Sequence, residues 1–364
     1  MKNSSSVCPM AEAIAEVVRR LTTTASPALW QQAPAGRIVR AGEIKRAYST
    51  VYRLRVEDTG GRTLRILYAK VYKLAPKHRD NPAKPQARLR TEFEAAQRLH
   101  ARLNDSPNYG VVRPLAYYPD LLAIVTEEAQ GRPIASLLEA ACKRWHKRDK
   151  LTAVLSACRL AGEALAAIQR VTVEPQPYQP AELLDYVDLR LQRLVAGEAP
   201  FGEKQRDMVR RYLETMMARV PATQLGQCGC HGDYAPFNVL AAPAGVTVMD
   251  FAMFKPGSLF NDVTYFYHRL QGYLHKPIFA APAIAAVQQA FLAGYNHGAG
   301  REHQPVEQDL LFRIFWIKHV INNYSAIMRK KVMTLRDRLS PAVYLFNRHV
   351  FRCYNQWLSQ MCQP

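Results

Sequence analysis

The chain has 364 residues, of which 48% are hydrophobic and 22% are charged. These values are ordinary for a folded protein, and they exclude a wholly disordered chain and a fibrous repeat. Seven cysteines are too few, and odd in number, for a disulfide scaffold, so a reducing cytosol is the expected compartment. Lysine and arginine total 49 against 30 aspartate and glutamate, and the net charge of +19 indicates an anionic partner.

No membrane-spanning or export signal stands out in the sequence. The N-terminal ten residues are polar, and the most apolar stretch, Ile278–Tyr295, is interrupted by Pro282 and two glutamines. A spanning helix needs about 20 strongly apolar residues. We therefore expect a cytoplasmic protein, whose membrane contact, if any, is peripheral and on the anionic inner face.

The first third of the chain has a β-rich pattern. In order, it predicts a helix at 10–21, a hairpin of Thr50–Val56 and Thr63–Tyr72, a helix at 86–103, and a strand pair ending at Leu121–Thr126. Asp58, Gly60 and Gly61 are typical of the turn in that hairpin. Residues 36–103 contain 17 basic and 6 acidic residues, so this part holds more than half of the excess charge.

The remaining chain is mostly helical. Apolar residues recur at helical spacing at 135–142, 151–170, 181–196, 204–219, 259–272, 281–295 and 307–330, with one small hairpin at about 237–250. We predict an α+β fold with an N-terminal extension at 1–35, a small β-rich lobe at 36–126, a hinge at 127–131 and a larger helical lobe at 132–364.

One segment carries a pattern suited to phosphoryl transfer. Residues 230–240 read CHGDYAPFNVL, and residues 246–251 read VTVMDF. This reaction needs a carboxylate beside the acceptor hydroxyl and oxygen ligands for Mg²⁺. Asp233 and Asn238 are five residues apart on one loop, and the predicted hairpin returns Asp250 toward that loop.

This pattern resembles the catalytic loop and metal motif of the aminoglycoside phosphotransferase and choline kinase family, over roughly residues 36–300. Members of that family are small-molecule kinases, and their two-lobed fold is similar to that of protein kinases. The resemblance implies that Asp233 is the catalytic aspartate and that Asn238 and Asp250 are metal ligands. Asp262 resembles a later aspartate at a helix start, where a carboxylate can cap exposed N–H groups.

A kinase of this type also needs a strand lysine that contacts phosphate and a helix glutamate that holds it. Lys70 lies on the second predicted strand of the hairpin, and Glu92 lies in the middle of the apolar stripe of the 86–103 helix. A carboxylate on a core-facing stripe is costly unless it is paired. We therefore predict a Lys70–Glu92 pair, with Lys73 and Glu94 as less favoured substitutes.

Two further nucleotide contacts come from the resemblance. Residues 124–133, IVTEEAQGRP, resemble the family's hinge, where backbone groups around Glu127 and Ala129 would bind the purine edge. The loop that covers the nucleotide should lie at 41–50, with Ser49 assigned to the cofactor. That loop has one glycine, which departs from the glycine-rich loop of protein kinases.

The predicted activity is transfer of the γ-phosphate of ATP, with two Mg²⁺ ions, to a hydroxyl of a small molecule or glycan. Residues 260–364 hold 12 basic and 5 acidic residues, which favours a neutral or anionic sugar or glycolipid head group. The alternative is an aminoglycoside or choline-like acceptor, because the resemblance places Glu182, Asp185 and Asp188 where the family has its acceptor-binding helices. A third hypothesis is that the protein is not an enzyme but an inactive kinase-like module. Such a module would bind anionic lipid or, less favoured, nucleic acid.

Overall fold

The computed structural model describes residues 10–23, 36–74, 83–103, 105–145, 149–197, 200–331 and 341–363. The chain divides into two compact units. Unit 1 contains Met1–Gly131 and Ala242–Phe254, and unit 2 contains Arg132–Ala241 and Lys255–Pro364. Part of the predicted N-terminal extension at 1–35 lies outside the described residues.

Unit 1 is built on a five-stranded antiparallel sheet. Its strands are β1 (Arg37–Lys45), β2 (Ser49–Glu57), β3 (Thr63–Tyr72), β5 (Pro114–Tyr118) and β6 (Ala123–Glu127), in the order β1-β2-β3-β6-β5. The predicted hairpin is confirmed as β2–β3. Its turn is stabilised by Asp58, whose Oδ1 accepts the backbone N–H groups of Gly60 and Arg62 at 2.9 Å each.

The alternation of side chains along β3 gives this sheet two different faces. Leu67, Ala69 and Val71 are buried in one core cluster, which also contains residues of helix α1 (Met10–Thr23). Tyr72 belongs to a second cluster with Leu89 of helix α2 (Ala83–Leu103). Lys70 therefore lies on the face of the sheet that packs against α2.

A short parallel pair completes unit 1. Strand β4 (Tyr109–Val111) pairs with β11 (Gly245–Val248), which precedes Asp250 by two residues. Gly245 has a φ of 146°, and a Cβ at this position would lie 2.3 Å from the Asn108 carbonyl oxygen. Glycine is required there because this conformation and this close approach both exclude a side chain.

Unit 2 is mostly helical, as the sequence predicted. Its helices are α3 (Ile134–Ala141), α4 (Asp149–Arg170), α5 (Ala181–Val195), α6 (Glu203–Met217), α7 (Phe260–Gln271), α8 (Ala281–Gly298), α9 (Leu310–Lys331) and α10 (Pro341–Met361). Its strands are β7 (Arg132–Pro133), β8 (Val173–Glu174), β9 (Gln227–Cys230), β10 (Val239–Ala242) and β12 (Lys255–Ser258). Antiparallel pairing orders three of them as β12-β9-β8, and β10 pairs with β7.

Helices α4 and α8 form the centre of unit 2. They approach so closely that a Cβ on Gly294 would lie 1.9 Å from the Arg159 carbonyl oxygen. Among the described residues, the segment Lys150–Arg170 of α4 is the one helix long and apolar enough to cross a membrane, and 61% of its most apolar window is buried. Its apolar residues are accounted for by this packing, as in a core helix.

Candidate active site

The predicted catalytic segment, residues 231–238, follows strand β9 and is anchored by the first turn of helix α7. The buried carboxylate of Asp262 accepts the backbone N–H of His231 at 2.5 Å and that of Gly232 at 3.0 Å. Burial raises the pKa of Asp262, and these two donors oppose the shift. The prediction that Asp262 caps the start of its helix is wrong: α7 has no side-chain cap, and Asp262 instead binds N–H groups of the catalytic segment.

Asp233 is held from two sides. Its Oδ1 accepts the hydroxyl of Tyr265 at 2.9 Å, and the amide nitrogen of Asn238 donates to its backbone oxygen at 2.9 Å and to Oδ2 at 3.3 Å. Burial raises the pKa of Tyr265, and the charge of Asp233 raises it further. Tyr265 therefore stays protonated and donates, which orients the carboxylate.

The orientation of Asn238 suits a cation ligand. The residue is buried, and its amide nitrogen is used in the contacts to Asp233. Its Oδ1 accepts no hydrogen bond from the part of the chain that the structure describes. An amide oxygen of this kind is a ligand that Mg²⁺ accepts.

In unit 1 the structure brings together Lys70, Glu92 and Asp250. The ammonium of Lys70 lies 2.9 Å from Glu92 Oε1 and 2.8 Å from Asp250 Oδ1. Burial alone would lower the pKa of Lys70, but the two carboxylates outweigh burial and raise it. Burial raises the pKa of Glu92, whereas the Lys70 charge opposes that rise. The predicted Lys70–Glu92 pair is therefore present, and its nucleotide contact stays a prediction.

Asp250 has an uncommon backbone conformation. Its φ of 69° lies in the left-handed region, which aspartate tolerates better than most residues with a side chain. The side chain is 39% exposed while one of its oxygens contacts Lys70. Its carboxylate is thus held by Lys70 and is also accessible to a ligand.

The less favoured substitutes for the ion pair do not take that role. Lys73 is exposed, and its ammonium donates to the backbone oxygen of Arg46 at 2.5 Å. Glu94 is exposed on α2, on the side away from the buried Glu92. The helical period therefore distinguished two glutamates that are only two residues apart.

The segment predicted as the nucleotide loop, residues 41–50, is mostly strand: residues 41–45 belong to β1, residues 49–50 belong to β2, and only residues 46–48 form a turn. The backbone N–H of Glu127 donates to the Arg113 oxygen at 2.9 Å, so this N–H is already used within the protein. Ser49 is the first residue of β2 and is buried, directly after the turn at 46–48. The roles of Glu127, Ala129 and Ser49 in nucleotide binding stay predictions.

Asn238 of unit 2 and Asp250 of unit 1 each present an oxygen of the kind that Mg²⁺ accepts. No cluster of three or more His, Cys, Asp or Glu side chains that could hold a metal occurs in the described ranges. Mg²⁺ in kinases is commonly held by one or two protein oxygens together with the phosphates of the nucleotide. Asn238 Oδ1 and the Asp250 carboxylate have the chemistry for those protein positions.

Two tyrosines were missed in the sequence. Tyr265 follows Asp262 by three residues on α7, so helical spacing could have placed it near the catalytic segment. Tyr72 follows Lys70 by two residues on β3 and thus shares its face, and its hydroxyl donates to Glu92 Oε2 at 2.5 Å. Burial, followed by the charge of Glu92, raises the pKa of Tyr72, so its proton stays in that bond.

The model of the phosphotransferase enzyme family matches residues 43–306 of this chain. No curated protein sequence matches it. Similar solved structures include a protein from Ralstonia eutropha assigned to the aminoglycoside phosphotransferases, with 13% identity, a TM-score of 0.58, and coverage of 96% of this chain and 98% of that one.

Two other solved structures extend this similarity. Choline kinase from Cryptosporidium parvum has 11% identity and a TM-score of 0.55, with 96% of each chain covered. A glucosamine kinase in complex with glucosamine, ADP and inorganic phosphate has 13% identity and a TM-score of 0.52, with coverage of 98% of this chain and 99% of that one. At such identities the likeness shows the fold, which is the predicted kinase-like α+β fold.

Proposed function

The chain belongs to the phosphotransferase enzyme family, and on that premise we propose that it transfers the γ-phosphate of ATP to a hydroxyl of a sugar or glycolipid head group. The observation that carries this proposal is the held geometry of Asp233, whose carboxylate contacts both Tyr265 and Asn238. An aspartate with no role beyond solvent exposure does not require two hydrogen bonds that fix the orientation of its carboxylate.

We assign to Asp233 the role of orienting the acceptor hydroxyl and receiving its proton. One carboxylate oxygen accepts the acceptor's O–H, which directs the oxygen lone pair toward the γ-phosphorus. As the new P–O bond forms, the bond from that phosphorus to the leaving oxygen of ADP breaks, and Asp233 receives the proton of the hydroxyl. In a loose transition state, positioning contributes more than basicity, so an aspartate suffices. Tyr265 keeps the carboxylate in this orientation through its hydrogen bond to Oδ1.

The nucleotide half of the mechanism is assigned to unit 1. Lys70, braced by Glu92 and Tyr72, supplies a fixed ammonium for the phosphates. Asn238 and Asp250 are the residues that would hold Mg²⁺, which when bound neutralises charge on the phosphate oxygens. Two ions are proposed, because protein kinases hold two Mg²⁺ through an aspartate and an asparagine of this kind. Backbone groups at Glu127 and Ala129, with Ser49, are proposed to contact ATP.

The charge of unit 2 supports a neutral or anionic acceptor. Residues 260–364 carry 12 basic and 5 acidic residues. An aminoglycoside or choline-like acceptor is the second candidate, because Glu182 and Asp185 are exposed on α5 and form no ion pair with the described residues. A cytoplasmic protein with peripheral contact to an anionic membrane is proposed from the net charge of +19.

A mass-spectrometric screen tests the activity. The protein and Mg-ATP are added to a cell extract, and metabolites that gain one phosphate are identified against a matched reaction with Asp233→Ala. We expect at least one hydroxylated metabolite to be phosphorylated by the wild type alone. ATP-independent binding of nucleic acid or lipid with no phosphorylated product would instead favour the inactive module.

A further inference from the structure

The cation of Lys318 lies close to the helix that anchors the catalytic segment. The ammonium of Lys318 on α9 donates to Asn261 Oδ1 at 2.5 Å, and Asn261 directly precedes the anchoring Asp262. Tyr265, which contacts Asp233, lies one turn after Asn261 on the same face of α7. The ring of Tyr265 is also 5.1 Å from that of His319, the neighbour of Lys318. Lys318 thus lies about one helical turn from the contact that orients Asp233.

Arg190 on α5 is tied to Lys318 through Tyr186. The guanidinium carbon of Arg190 lies 3.3 Å from the centre of the Tyr186 ring, and the Lys318 ammonium lies 5.6 Å from the same centre. The Tyr186 hydroxyl donates to Asn322 Oδ1 at 2.8 Å, one turn after Lys318 on α9. Stacking on the ring holds the guanidinium plane in place, so its remaining N–H donors keep a fixed direction.

No described carboxylate lies within ion-pair distance of either cation. Elsewhere in unit 2, Arg206 and Arg210 each have such a partner, at 2.7 Å and 2.9 Å. Lys318 is half-buried, and burial lowers its pKa to about 8, against the charge of Asp262 and with help from Lys255 and Arg190. A cation held in this way is costly, and an anionic ligand would recover that cost.

We propose that Lys318 and Arg190 form a subsite for an oxyanion group, a carboxylate or a phosphate, on the acceptor whose hydroxyl Asp233 orients. This inference rests on the proposed function, because it assigns a charge to that acceptor. Arginine and lysine are the residues that bind carboxylate and phosphate most strongly. The preferred acceptor is therefore an acidic sugar or a sugar phosphate rather than an amino sugar.

The test uses four probes that share one ring: glucose, glucosamine, glucuronate and glucose 6-phosphate. Equilibrium binding is measured by calorimetry in the full chain, and phosphate transfer from Mg-ATP is measured separately. We expect at least one of the two anionic probes to bind about tenfold tighter than glucose or more. Comparison of glucuronate with glucose 6-phosphate distinguishes a carboxylate from a phosphate as the preferred group.

Matched variants test the two residues. Lys318→Met and Arg190→Gln should each remove the preference for anions. The control variants are Lys276→Met and Arg193→Gln, which remove the same charge at exposed positions of unit 2; Arg193 is on the same helix as Arg190. Both controls should keep the preference for anions. Thermal unfolding of each variant verifies that it is folded. Anion binding by Lys318→Met and Arg190→Gln equal to that of their controls would overturn the inference.

The two proposals fail in different ways. Transfer to glucose or glucosamine with no preference for anions overturns the subsite and leaves the kinase activity standing. Binding of anions that depends on Lys318 and Arg190, without transfer to any metabolite, supports the subsite and contradicts the kinase activity. Inorganic phosphate serves as the smallest probe, and the absence of any anion binding that depends on these residues also overturns the subsite.

Discussion

At the scale of single residues, two phenol groups complete networks whose charged members were predicted from the sequence. The strand period placed Lys70, and the helix period placed Glu92, because each pattern specifies a face. Neither period specifies which hydrogen bonds form at the ends of neighbouring side chains. The contacts of Tyr72 to Glu92 and of Tyr265 to Asp233 therefore required the structure.

Tyr72→Phe tests the first of these networks. Loss of the hydroxyl leaves Glu92 Oε2 without this donor and loosens the carboxylate that braces Lys70. Since a hydrogen bond to a charged group is worth about 1.5–3 kcal/mol, we expect the KM for ATP to rise about tenfold, with a smaller change in kcat. Steady-state kinetics with varied ATP measure this effect.

Tyr117→Phe is the matched control. Its ring packs against the same cluster as Tyr72, but its hydroxyl has no hydrogen-bond partner among the described residues. We expect kinetics close to those of the wild type. Equal values of the KM for ATP in the two variants would show that the Tyr72 hydroxyl does not position the ion pair.

At the scale of elements, most helices and the two strands of the β2–β3 hairpin were predicted close to their observed bounds, whereas the nine-residue strand β1 and several short strands were missed. Strands β7 and β8 have two residues each, which is too few to show a period of two. Helix α10 was also missed, although its buried residues have helical spacing. These residues, which could have revealed it, are Val350, Tyr354, Leu358 and Met361.

The contact of α4 with α8 gives a prediction about stability. In Gly294→Ala, the new Cβ would meet the backbone oxygen of Arg159, which cannot rotate away as a side chain could. Overpacking of this kind costs about 1–3 kcal/mol, so we expect the free energy of unfolding in urea to fall by about that amount. Gly272→Ala, where nothing lies within 4 Å of the added Cβ, is the control and should be neutral. Equal stability of the two variants would contradict the close approach of the helices.

A buried histidine on α7 predicts sensitivity to acid. Burial lowers the pKa of His268 to about 3, whereas an unfolded histidine titrates near 6.5. Between about pH 3 and 6.5 the unfolded state therefore binds one more proton, so stability falls as the pH decreases through this window. The loss for one group is about 1.4 kcal/mol per pH unit at most.

Urea unfolding between pH 6.5 and 5 measures this effect. His268→Gln should lose less stability over this range than the wild type, because one proton uptake on unfolding is removed. His303→Gln changes an exposed histidine and should follow the wild type. The same pH slope in all three proteins would contradict a neutral, buried His268.

At the scale of the whole molecule, the α+β kinase-like class was predicted correctly, and the family match covers residues 43–306. The class does not specify the acceptor, since proteins with this fold include kinases named for choline and for glucosamine. Net charge of the sequence indicated an anionic partner, but it could not say which cations lack carboxylates. That distinction separates Lys318, whose contact with Asn261 joins two helices, from Arg210, whose partner Glu214 lies one turn along the same helix.

Asp233→Asn tests the central claim most directly, with Asp207→Asn on α6, whose side chain is 48% exposed, as the control. Nucleotide binding by calorimetry and phosphate transfer to the metabolites of a cell extract are measured on the same preparations. We predict that Asp233→Asn binds Mg-ATP like the wild type and that its transfer rate falls by about 10²–10⁴-fold, while Asp207→Asn is unchanged. Transfer by Asp233→Asn at the wild-type rate would contradict the assignment of Asp233 to the acceptor hydroxyl.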